Sequence, residues 1–159
     1  VEDVPAWSTN LRSASVIRST DTRYFIDPSI ATAALQISPE KLMHDLNTFG
    51  LLFETMCMRD LRIYAQTLGA NIYHYRDKDG LECDAVVEMS DGRFGLIEIK
   101  LGGATAISTA CKSLHKLEDK IDINKVGKPS FRMVLTAVGA YALTLKDGTL
   151  VVPIGCLKD

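Results

Sequence analysis

No apolar run in this sequence approaches the roughly 20 residues needed to cross a bilayer as a helix. No basic-then-apolar opening reads as a secretion signal. Cysteine is sparse: Cys57, Cys83, Cys111 and Cys156 stand far apart, with no CxxC pair and no Cys/His cluster, which argues against zinc. Each sits in or beside an apolar stretch, so all four are expected as small buried hydrophobes of a reducing compartment, the cytoplasm. Surplus positive charge is missing too. Eighteen Lys and Arg face twenty Asp and Glu, a net charge of −2, which weighs against a stand-alone nucleic-acid wrapper and leaves room for a local basic groove. There is no GxSxG and no Cys–His arrangement for a nucleophilic hydrolase. No internal repeat or low-complexity tract interrupts the chain, whose 159 residues suit one domain with a sizeable core. The first residue is Val1, which suggests a fragment cut from a longer protein at a domain boundary.

What is present reads as alternating helix and strand signals. Residues 1–22 lack a period and are expected to form an irregular arm, with Trp7 an anchor into a neighbouring domain or into the body of this one. Arg23 to Asp27 is a short strand. Asp27-Pro28 opens a helix to about Leu35, and Ser38-Pro39-Glu40 repeats that start signal. From Thr48 to Leu68, Phe49, Leu52, Phe53, Met56, Cys57, Leu61, Tyr64, Ala65 and Leu68 recur at helical spacing, and Gly69 closes the helix. The period then changes to two: Asn71–Arg76, Leu81–Met89 and Arg93–Lys100 are strands separated by Lys78-Asp79-Gly80 and Ser90-Asp91-Gly92. Gly102-Gly103 breaks the sheet before a helix over Ala104–Ile121. Phe131–Val138 is an apolar strand, and Tyr141–Leu145 with Thr149–Ile154 forms a hairpin around Lys146-Asp147-Gly148. The pattern predicts an α/β fold, a mixed β-sheet flanked by helices. Residues 1–47 form an arm with short helices, and 48–159 form the main domain.

One set of residues carries chemistry. Glu82 and Asp84 share a face of one strand, and Glu98 and Lys100 share a face of the next, while Cys83, Ala85, Val87, Ile97 and Ile99 make the opposite faces apolar. A two-residue turn would set Asp84 opposite Ile99. A three-residue loop, Ser90-Asp91-Gly92, sets it opposite Glu98, and the left-handed residue such a loop needs at its end is supplied by Gly92. Two carboxylates facing each other repel unless a cation lies between them. Mg²⁺ (or Mn²⁺) suits such a pair, completing its shell with water and phosphate oxygens. Lys100 would hold the attacking water or stabilise charge developing on a phosphate. Asp84 and Glu98 are therefore the expected metal ligands, and Asp84, Glu98 and Lys100 the expected catalytic set. Glu54, at the edge of the long helix's apolar stripe, is a third metal ligand or a support for the other two. Asp60 is its rival inside the stripe, where an acid needs a partner such as Arg62 or Arg76.

Phe49-Gly50-Leu51-Leu52-Phe53-Glu54, Tyr73-His74-Tyr75-Arg76, Leu81-Glu82-Cys83-Asp84-Ala85-Val86-Val87-Glu88 and Ile97-Glu98-Ile99-Lys100 resemble the domain of unknown function 4143. Pro5-Ala6-Trp7, Tyr24 to Pro28 and Val151 to Leu157 look like its flanking segments, so the similarity covers almost the whole chain. The resemblance implies a restriction-endonuclease-like, PD-(D/E)XK fold, with Glu54, Asp84, Glu98 and Lys100 at that fold's active-site positions. It also implies an AAA+ type ATPase domain N-terminal to this region in the same polypeptide. No GxxxxGK[ST] nucleotide-binding segment occurs here, so residues 1–47 would link to an ATPase absent from this sequence.

The expectation is a Mg²⁺-dependent nuclease-like domain acting on DNA or RNA. Its alternative is a catalytically inactive interaction module that docks on its own ATPase or on a partner. Other suggestive residues have plainer explanations. Lys112, Lys116 and Lys120, with His115 beside them, could track phosphates but read as a solvated face balanced by Glu118 and Asp119. Tyr73 and Tyr75 are expected to pack against a helix rather than stack on bases. His44 and His74 have no partner acid or serine and receive no catalytic role.

Overall fold

The computed structural model describes residues 1–8 and 20–158. The strands are β1 (Glu2–Val4), β2 (Thr22–Tyr24), β3 (Ala70–Arg76), β4 (Glu82–Met89), β5 (Phe94–Lys100), β6 (Phe131–Thr136), β7 (Leu143–Thr144) and β8 (Leu150–Pro153). The helices are α1 (Pro28–Leu35), α2 (Pro39–His44), α3 (Leu46–Thr67), α4 (Ala104–Lys120) and α5 (Ile123–Val126), followed at the end by a 3-10 turn, Ile154–Cys156. The first three helix starts follow from their caps. Asp27, Ser38 and Asp45 accept hydrogen bonds from Ser29, Lys41 and Thr48 main-chain N–H groups, and Pro28 and Pro39 occupy first-turn positions whose N–H would be unpaired anyway.

A six-stranded mixed sheet runs in the order β3-β4-β5-β6-β8-β7. β3, β4 and β5 are antiparallel; β5, β6 and β8 are parallel; β7 closes the far edge as a hairpin with β8. The parallel step from β5 to β6 needs a crossover, and α4 supplies it. Because α3 covers one face and α4 the other, both faces of the sheet are core. Phe53, Met58, Leu61 and Ala65 of α3 pack on Ile72, Ala85, Ile97, Ile99 and Leu135. Ala110, Cys111, Leu114 and Leu117 of α4 pack on Tyr75, Cys83, Val86, Leu96 and Val134. The sequence pattern, with one face of the β4–β5 hairpin apolar and the other charged, is corrected accordingly: Val86 and Leu96 are fully buried on the second face.

The N-terminal region is more ordered than its sequence suggests. β1 pairs with β2, and Val4, Trp7 and Tyr24 are buried in the two cores. Pro5 and Trp7 exchange main-chain hydrogen bonds with His74, covering the outer edge of β3 that would otherwise offer unpaired N–H and C=O groups. Trp7 thus anchors in the body of this chain, its indole N–H donating to Glu88 at 3.0 Å and its ring 4.9 Å from that of Phe94. The irregular path expected for residues 9–19 lies outside the described residues. Among the described residues no helix is long and apolar enough to cross a membrane. Cys57, Cys83 and Cys111 are buried and free as expected, whereas Cys156, on the exposed 3-10 turn, is not buried.

Candidate metal-assisted hydrolysis site

The loop between β4 and β5 sets the site. Met89 N–H donates to Arg93 O, Gly92 N–H donates to Met89 O, and Gly92 takes φ 84°, so Ser90-Asp91-Gly92 is the three-residue connection its glycine requires. The resulting pairs, Glu88 with Phe94 through Ala85 with Ile97, put Asp84 and Glu98 at the next step of the same register. There the ladder stops. Between Tyr73 and Tyr75 on β3 stands one residue, while Asp84 and Ala85 both stand between Cys83 and Val86 on β4. The extra residue makes a bulge, which breaks the alternation of faces. Cys83 consequently lies with Val86 on the α4 side, not with Ala85 and Val87 as strict alternation predicts.

Asp84 uses the opening that the bulge creates. Its Oδ2 accepts the Ile99 main-chain N–H at 2.7 Å and the Lys100 ammonium at 3.2 Å. Lys100 also contacts Glu98 Oε2 at 2.7 Å. Two carboxylates from neighbouring strands therefore converge on a single cationic centre, as the register argument required. Glu98 is buried, and burial together with the charge of Asp84 pushes its carboxyl up to about 7. Burial alone would lower the Lys100 ammonium, but Asp84 and Glu98 outweigh it and hold the lysine above its ordinary value.

Glu54 approaches from α3. Burial, then the negative charge of Asp84, raises its carboxyl above the usual range, and the Tyr24 hydroxyl donates to its Oε1 at 2.6 Å. Among the described residues, no group of three or more His, Cys, Asp and Glu side chains is drawn together closely enough to hold a metal ion. The convergent pair is Asp84 and Glu98, and one lysine ammonium contacts both and offsets one of their two charges. Those two oxygen donors fit a hard divalent ion that takes one or two carboxylates and fills its remaining positions with water.

The other sequence candidates fall elsewhere. Asp60 is paired with Arg59 at 2.8 Å, not with Arg62 or Arg76. Arg62 instead pairs with Glu2, and Arg76 with Glu82 at 2.9 Å, because the N-terminal strand and the β3–β4 ladder bring those acids nearer. Glu82 is thereby spent on an exposed pair outside the site. Lys112 and Lys116 are exposed, while Lys120 is committed to Asp77 and Asp79. The balancing acids differ from those expected, since Glu118 pairs with Arg132 and His115 with Asp147. Tyr75 is buried against α4. His74 is buried with its ring against Thr20 O, and burial lowers its pKa.

Two further residues support the site and the adjoining turn. Tyr24 carries no local signal, since its contact with Glu54 exists only once β2 lies along α3. Asp77 carries one: an aspartate opening the Lys78-Asp79-Gly80 turn is well placed to accept N–H groups two and four residues on. It does so from Asp79 and Leu81. No curated protein and no solved structure matches this chain. A family model described as a domain of unknown function, DUF4143, matches residues 49–157, well over half of the chain and the whole span from Glu54 to Lys100, and the chain belongs to that family.

Proposed function

We propose that this chain is a nuclease-like domain of the restriction-endonuclease-like, PD-(D/E)XK class, hydrolysing phosphodiesters of DNA or RNA with Mg²⁺ or Mn²⁺. The observation that carries the proposal is the convergence of Asp84 and Glu98, from adjacent strands, on one cationic centre beside Lys100. The layered sheet, with an acid-bearing helix on one face and the crossover helix on the other, is consistent with that architecture. Asp84 and Glu98 would hold the ion, with Glu54 completing or supporting the site. Bound there, the ion would neutralise phosphate charge and make water a better nucleophile. The chain's own groups do the rest. The Ile99 N–H fixes the Asp84 carboxylate, the burial of Glu98 strengthens electrostatic interactions in the site, and Lys100 orients water or meets charge developing on the scissile phosphate.

The resemblance to the domain of unknown function 4143 supports an AAA+ type ATPase domain of the same polypeptide as partner, and the cysteines support a cytoplasmic setting. The free, buried Cys57, Cys83 and Cys111 agree with a reducing compartment. A second reading, a non-catalytic docking module, is favoured by one observation: Lys100 already contacts both acids and offsets part of their repulsion without a metal.

Labelled single- and double-stranded DNA and RNA incubated with the protein and Mn²⁺ separate the two. Cleavage should appear with Mn²⁺, vanish with a chelator, and fall on the order of 10²–10³-fold in Asp84→Ala, the scale of removing one transition-state-stabilising group. Equal cleavage by both proteins would mean a contaminant and would sink the nuclease reading. Absence of cleavage on every substrate would favour the docking module.

A further inference from the structure

The third acid of the site is held by a residue outside the family-matched span. Tyr24 is on β2, its ring is buried, and its hydroxyl donates to Glu54 Oε1 at 2.6 Å. Fixing one oxygen of a carboxylate fixes the plane of the group, and hence where the other oxygen points. Facing a carboxylate oxygen, which has no proton to give, the phenol acts as the donor.

The contact is one of several along α3. Asp27, just after β2, receives Arg59 at 2.6 Å, and Glu2 of β1 pairs with Arg62. β1 and β2 are joined by a full antiparallel register from Glu2–Tyr24 to Val4–Thr22. The N-terminal ribbon is thus tied to the helix at Glu54, Arg59 and Arg62, over successive turns. Two of these ties are partly exposed ion pairs, worth little individually. The third is a short, part-buried hydrogen bond to an acid that feels the charge of Asp84.

We propose that Tyr24 is a positioning residue: its hydroxyl sets the orientation of Glu54 toward the Asp84–Glu98 pair, so that the N-terminal ribbon tunes divalent-ion affinity from outside the matched domain. This rests on the reading of Glu54 as a member of the metal site. It predicts that losing the hydroxyl alone weakens metal binding, although Tyr24 touches no ligand of the pair. Hydrogen-bond partners that orient a ligand typically carry about 10–100-fold in affinity.

The test is Mn²⁺ titration of the 159-residue chain, followed by the free-ion electron paramagnetic resonance signal, with no substrate present. Wild type, Tyr24→Phe, Glu54→Gln, the double variant and Glu2→Gln are compared, each checked by thermal melting. The expected result is a roughly 10-fold loss in Tyr24→Phe. Glu54→Gln should lose at least as much, and the double variant should be no weaker than Glu54→Gln, since the hydroxyl acts through that carboxylate. Glu2→Gln, which loosens the ribbon at Arg62 without touching Glu54, should bind as wild type does. Wild-type affinity in Tyr24→Phe beside a weakened Glu54→Gln would overturn this inference alone, reducing Tyr24 to a structural tie. Additive losses in the double variant, or an equal loss in Glu2→Gln, would overturn it as well. If the wild type binds no Mn²⁺, the proposed function falls, and this inference with it.

Discussion

Lys100→Met is expected to destabilise the metal-free protein by about 2–3 kcal/mol, and added Mn²⁺ is expected to recover most of the loss. The ammonium is the cation on which Asp84 and Glu98 converge, and Glu98 is buried beside it. Removing one partner of an enclosed pair costs about 3–5 kcal/mol; Lys100 is about a third exposed, so solvent screening reduces the figure. For a chain of this size the loss corresponds to roughly 5–10 °C in Tm. Its pH dependence has a definite sign. Glu98 has a folded-state value of about 7 against 4.5 unfolded, so folding takes up a proton between those values and stability falls as pH rises through that window. Without the ammonium the folded value moves higher still. The deficit of Lys100→Met should therefore be small near pH 5 and largest near pH 8, as thermal melts at the two pH values would show. A deficit that is equal at both would contradict the coupling of Glu98 to Lys100.

Asp77→Ala should be more damaging, by about 3–5 kcal/mol, because it strands several groups at once. The carboxylate is completely buried. It accepts the Tyr75 hydroxyl at 3.1 Å, the Asp79 and Leu81 N–H groups at 2.9 and 3.0 Å, and the Lys120 ammonium at 2.5 Å. It therefore ties the β3–β4 turn to the end of α4, and its loss leaves two main-chain donors and a phenol without an acceptor. Burial would raise the Asp77 carboxyl, but Lys120, the Leu81 N–H and Tyr75 together hold it below 3.8. Its contribution is thus present above pH 3.8 and is lost as pH falls through the folded value. Asp79→Ala, at the exposed end of the same lysine contact, should change stability by less than about 0.5 kcal/mol. Chemical denaturation of the two variants side by side checks the contrast. A small effect at Asp77 would mean that water or a neighbour replaces the carboxylate.

The local rules of capping and turn chemistry made much of this fold legible in the sequence. Ser38-Pro39 and Asp27-Pro28 mark helix starts because their side chains satisfy first-turn N–H groups, and the structure uses them so. Gly92 fixed the length of one loop, and that loop brought Asp84 level with Glu98. The bulge at Asp84 was not legible. No glycine marks it, and its cause is tertiary: Val86 and Cys83 both find room against α4, which one extra residue between them permits. Nor was β1 legible, since Glu2-Asp3-Val4 has no alternation and becomes a strand only by pairing with β2. The partner of Asp60 was misread for the same reason. Arg62 or Arg76 was expected, but the ribbon brings Glu2 to Arg62, Glu82 takes Arg76, and Arg59 bridges Asp60 and Asp27. Within the site, the residues that convergence requires were read from strand period and turn length. The hydroxyl that orients Glu54 was not, because it comes from a segment whose own sequence says only that it is extended.

Crystals of the metal-free protein soaked in Mn²⁺ and measured at a wavelength where manganese scatters anomalously test the central assignment most directly. One strong peak bonded to Asp84 and Glu98 is expected, with the Lys100 ammonium displaced from its place against both carboxylates. Saturating Mn²⁺ with no peak there, and Lys100 still bridging the two acids, would contradict it.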